Sequence, residues 1–161
     1  MIGIPRSDAA SPRGPPCAHD QLMTIPAYDE TRTLPLTTDI DIQQRISRLI
    51  GVAVRRQLWV LFLDHSNIQL PMMIAIDDHP IRPDATVADL AERVEHTLID
   101  AGARSVIVVI ERFASSDLTA ADTAWATAIH DEFDAQGVPV RGILLSHRRG
   151  IRWIAQDDYR Y

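Results

Sequence analysis

Five consecutive β-branched residues, Val106, Ile107, Val108, Val109 and Ile110, constrain this chain more than any other feature. A strand apolar on both faces has to be covered on both faces, which is the position of an interior strand in an α/β sheet. Polar residues begin at once with Glu111 and Arg112, and the chain runs through Ala114, Ser115, Ser116 and Asp117 before helical spacing resumes at Thr119. Open α/β sheets place their ligands at such strand ends. If the chain carries chemistry, Ser105 to Trp125 is the first place to look.

The flanking segments supply the partners of that strand. Ile42, Ile46, Leu49, Ile50 and Ala53 mark an amphipathic helix, with Asp39 or Asp41 as its cap. Gln57 to Leu63 is apolar on both faces and belongs inside the sheet, so Trp59 is expected in the core. Asp64-His65-Ser66-Asn67 turns the chain, and Ile68 to Ile76 returns as the second strand of a hairpin. Pro71 cannot donate to a ladder, which places that strand at an edge or gives it a bulge. Met72, Met73 and Ile74 then form an adaptable apolar edge, the candidate interface for a second copy or a protein partner.

Asp77-Asp78-His79-Pro80 reads as loop chemistry before a proline. Thr86 with Asp89 resembles a capping box for a helix whose stripe is Val87, Leu90, Ala91, Val94 and Leu98, closed by Gly102. After the central strand, Thr119 and Asp122 cap a third helix that turns Ala121, Trp125, Ala128, Ile129 and Phe133 inward. Val138 to Ser146 and Ile151 to Ala155 are two further strands around a His147-Arg148-Arg149-Gly150 turn. The expected order is α-β-β-α-β-α-β-β, a single three-layer α/β domain with helices on the faces of a mixed sheet.

The chain has 161 residues and a formal charge of −6, a balance that argues against general nucleic-acid binding. The lone Cys17 excludes a disulfide framework and any zinc site built on two or more cysteines. No apolar run reaches about 18 residues and no secretory signal pattern is present, so the expectation is a cytoplasmic protein without a membrane span. Residues 1–37 hold six prolines, Pro5, Pro12, Pro15, Pro16, Pro26 and Pro35, and show no apolar period. They read as a disordered or loosely packed extension to a domain over residues 38–161.

The domain resembles the RadC-type JAB (MPN) family, a metalloprotease-like fold found in bacteria. Leu58-Trp59-Val60-Leu61-Phe62-Leu63-Asp64 is similar to the family's opening strand, and Ala103 to Val109 to the strand that carries its metal-binding histidines. Thr119-Ala120-Ala121-Asp122 resembles its Ser-x-x-Asp, and Arg152-Trp153-Ile154-Ala155 its closing strand. The resemblance implies a JAB/cytidine-deaminase-like fold. It also implies zinc held by a His-x-His pair and an aspartate, with a glutamate to activate water.

The ligand positions depart from that pattern. Ile110-Glu111-Arg112, or Val109 and Glu111, stands where the histidine pair should be, Arg56-Gln57 where the glutamate should be, and Arg141-Gly142 where the family commonly has Asp-His. Only Asp122 remains, and one carboxylate beside Arg112 does not hold a zinc that needs three protein ligands. The expectation is therefore no metal, no cofactor and a non-catalytic JAB-like, RadC-like scaffold or protein-interaction module. The alternative is a hydrolase or a nucleotide- or anion-binding enzyme. It would use a strand-end cleft around Glu111, Arg112 and Asp122, with Thr119 and Arg141, and Arg112 as an anion clamp before a helix N-terminus.

Overall fold

Residues 33–160 are described by the computed structural model. Its elements are α1 (Asp39–Leu49), β1 (Gln57–Leu63), β2 (Gln69–Asp77), α2 (Thr86–Ala101), β3 (Ser105–Glu111), α3 (Ala120–Ala135), β4 (Val140–His147) and β5 (Gly150–Ile154), followed by a short 3-10 turn. They form one five-stranded mixed sheet in the order β2-β1-β3-β4-β5. The β-branched run is its middle strand.

The topology decides which face each helix takes. Strand β1 is antiparallel to both β2 and β3, so β2 and β3 run the same way, and β3 and β4 are directly parallel. Parallel strands need crossovers, and α2 and α3 provide them. Both crossovers step in the same direction across the sheet, so crossovers of one hand put both helices on one face. That leaves α1 to cover the other.

The cores follow this division. On the first face Leu58, Val60 and Phe62 of β1 and Val106, Val108 and Ile110 of β3 pack with Leu90 and Val94 of α2 and with Trp125, Ile129 and Phe133 of α3. On the second face Leu61, Leu63, Ile107, Val109 and Leu144 meet Ile42 and Ile46 of α1. Adjacent residues of β1 and β3 thus alternate between two cores, as the pleat requires.

Local details refine the expected elements. The cap of α1 is Thr38, whose hydroxyl accepts from the Asp41 amide at 3.1 Å, while Asp41 accepts from the Thr38 amide at 3.0 Å. Asp41 is thus the far member of a capping box rather than the cap itself. Thr86 and Asp89 form no such box. Asp84 accepts from the Thr86 amide instead, because the helix begins at Thr86 itself, one residue earlier than the Thr-x-x-Asp spacing implies. The Thr119–Asp122 box is present, and Gly102 ends α2 at φ 65°. On α3 the fully buried alanine is Ala126, with Ala121 and Ala128 half-buried.

Strand β2 is an edge, and its register with β1 slips between Leu61 and Leu63, opposite the stretch that contains Pro71. Trp59 is half-buried at the margin of the second core rather than enclosed in it, because α1 lies toward the β5 side of the sheet. The expected loose extension lies outside the described residues as far as residue 32. Leu36, at its end, is buried in the second core, and its amide donates to the Asn67 carbonyl at 2.8 Å.

Candidate functional site at the strand ends

The start of β1 and the ends of β2, β3 and β4 share one end of the sheet, where Gln57 pairs with Asp77 on one side and Glu111 on the other, and Glu111 with Ser146. This polar row carries the residues that the sequence marked. Strand alternation sends Glu111 and Arg112 to opposite faces, so the expected cleft is divided between them.

Glu111 belongs to the second face. It is buried, its Oε1 accepts from the Val54 amide at 3.0 Å, and its Oε2 accepts from the Trp59 indole at 2.9 Å. Ser146 donates its hydroxyl to the Gly51 carbonyl at 2.9 Å, and Arg55 donates from Nε to Gln57 at 3.0 Å. Residues 51–55 are therefore clasped onto the sheet end by the polar row. Each of these bonds answers a buried polar group that would otherwise cost about 1–3 kcal/mol.

Arg112 and Asp122 occupy the first face and close on each other. Arg112 donates from Nε and Nη2 to the two Asp122 oxygens at 2.7 and 2.6 Å, from Nη1 to the Ser115 carbonyl at 2.9 Å, and from Nη2 to the Asp117 carbonyl at 2.7 Å. Asp122 also accepts from the Thr119 amide at 2.8 Å. Burial by itself would raise the Asp122 pKa, but the bonds from Arg112 and Thr119 outweigh it and hold the carboxyl below its ordinary value. Four of the five guanidinium N–H groups are spent on the protein's own acceptors, so Arg112 fixes the 113–119 loop and is not an open anion clamp.

Arg141 lies at the start of β4, far from the other marked residues, and donates to Asp39 at 2.8 Å with its guanidinium 5.9 Å from the Trp153 ring centre. The His147-Arg148-Arg149 turn closes on itself: the Arg149 amide donates to His147 Nδ1 at 3.2 Å, and Arg148 stacks 6.0 Å from the exposed Phe113 ring. Burial, and then the nearby positive charges of Arg112, Arg152 and Arg149, lower the His147 pKa. Met72 and Met73, on the free edge, are 40% and 42% exposed, while Ile74 is half-buried against the first core.

His79, which its sequence neighbours mark as loop chemistry before Pro80, is a buried residue of the first face. It is 4% exposed and packs edge-on to Trp125 with ring centres 4.8 Å apart. Its Nδ1 lies 3.1 Å from the Pro80 carbonyl, which puts the proton on Nδ1. Among the described residues Nε2 has no hydrogen-bond partner, and burial lowers the pKa, which favours the neutral ring. The Trp125 indole donates to the carbonyls of Pro80 and Ile81, so the same loop serves both rings. A buried Trp on α3 needs an acceptor, but nothing in the sequence says that residues 80 and 81 supply it.

Among the described residues, no three His, Cys, Asp or Glu side chains come together as a metal ion would require, and no helix is long and apolar enough to cross a membrane. No family model matches the chain, and no curated protein is significantly similar to it.

Proposed function

We propose that the chain is a non-catalytic JAB-like, RadC-like scaffold, a protein-interaction module whose metal site has been replaced by an internal ion pair. The observation that carries this reading is the Arg112–Asp122 pair. Asp122 is the one position that matches a family ligand, and both of its oxygens are taken by a buried guanidinium that also anchors the neighbouring loop. A dication there would have to displace a cation held by four bonds. The reading places the partner, a second copy or another protein, on the edge strand β2, whose outer ladder is free among the described residues and whose residues from Gln69 to Ile76 carry no charge.

Zinc titration followed by thermal melting tests the lost metal site. The melting temperature should rise no further with zinc than with magnesium at the same concentration, since a ligand stabilises only what it binds. A specific rise that disappears in Asp122→Asn would overturn the reading.

A further inference from the structure

A recess of about 400 Å³ opens between the first turns of α2, the end of β2 and the loop after it. It exists because the crossover helices pack over the middle of the sheet and leave the inner side of the edge strand half-covered, as Ile76 shows. Leu58, Ile76, Leu90 and Trp125 supply an apolar lining. The volume falls in the range of small-molecule pockets, which combine such a lining with a few placed polar groups.

The polar groups here are of one dominant sign. Asp77, Asp78 and Asp89 line the recess against a single cation, Arg93. Asp77 is engaged by Gln57 at 2.6 Å and by Arg55 at 4.0 Å, but Asp78 and Asp89 are exposed and form no ion pair among the described residues. Buried His79 forms part of the wall.

We propose that this recess binds a small organic cation, an ammonium group on an apolar body, with the body between Ile76 and the first turns of α2 and the charge at Asp78 and Asp89. The recess includes neither Arg112 nor Asp122, so the proposal stands or falls apart from the scaffold reading.

Phenethylamine and its anionic counterpart 3-phenylpropionate are suitable probes, titrated into ¹⁵N-labelled full-length protein. Phenethylamine should give saturable shifts at the Trp125 indole N–H and at the amides of Thr86 to Leu90, and 3-phenylpropionate should bind at least fivefold more weakly. The double variant Asp78→Asn/Asp89→Asn, which changes only exposed side chains, should lower phenethylamine affinity about three- to tenfold. Ile76→Trp should fill the recess from the edge strand and abolish the shifts. Absence of saturable shifts in the native protein, equal affinity for the anion, or full affinity in the double variant would each overturn the proposal.

Discussion

The two faces of the sheet are held by different means. Among the described residues, the first joins twenty buried residues from α2, α3, four strands and the segment after β5 into one apolar cluster, and the second joins nine. Two sixteen-residue helices cover the first, whereas an eleven-residue helix covers the second. What the second face lacks in apolar area it makes up in directed bonds. Arg45 donates to Gln69 at 2.9 Å, Gln43 to the Ile151 carbonyl at 3.1 Å, and Glu111 and Ser146 hold the 51–55 loop. The first face carries directed bonds as well, from Arg112 to Asp122 and from the Trp125 indole, but beside a larger buried cluster. A face with one short helix needs polar clasps to fix where that helix and its linker lie.

The largest test of this contrast compares two aromatic deletions. Phe133→Ala, on the first face, should destabilise by about 3–5 kcal/mol, because the ring is fully buried and leaves a cavity. Trp59→Ala, on the second, should cost less than about 3 kcal/mol, since its ring is half wet and loses only partial burial and one bond to Glu111. Denaturant melts of both variants decide it, and equal losses would abolish the distinction.

An addition should separate the faces in the opposite sense. Trp153 lies across Gly142, where an added Cβ would meet its ring carbons at 2.1 and 2.6 Å. Gly142→Ala should therefore cost about 1–3 kcal/mol through overpacking, and it should also free the ring from Arg141 and the Asp39 carbonyl. An unchanged Trp153 environment in near-ultraviolet circular dichroism would show that the ring adapts without loss.

The smallest expected effect on stability is at the edge that both faces share. Met73→Glu should change folding stability by no more than about 0.5 kcal/mol, because Met73 is an exposed side chain. It should still weaken self-association or partner binding along β2. Light scattering that shows a monomer at every concentration, together with an unfolded variant, would mean that β2 is interior and carries no interface.

Much of the fold was legible because it depends on local chemistry. The run from Val106 to Ile110 implied the middle strand, and Pro71 implied an edge or a bulge. Thr119 with Asp122 implied the start of α3. The site was less legible. Residue type alone suggests one cleft for Glu111 and Arg112, whereas neighbouring strand residues point to opposite faces, a separation that the period of two already contains. Arg141 does not reach that cleft, because it lies near the start of its strand while Glu111 ends the parallel neighbour.

By itself the sequence determined the kinds of element, their order and which stripe of each is apolar, because those follow from backbone preferences and solvent exclusion over a few residues. Only the tertiary structure decided that α2 and α3 share a face and which of the nearby acids, Asp122 rather than Glu111, pairs with Arg112. It alone decided that Glu111 clasps the Val54 amide and that a loop histidine is buried against Trp125. Each of these outcomes depends on where a segment distant in the chain comes to lie. A buried donor or acceptor takes whichever partner the packing brings within about 3 Å, and the residue types alone do not specify that partner.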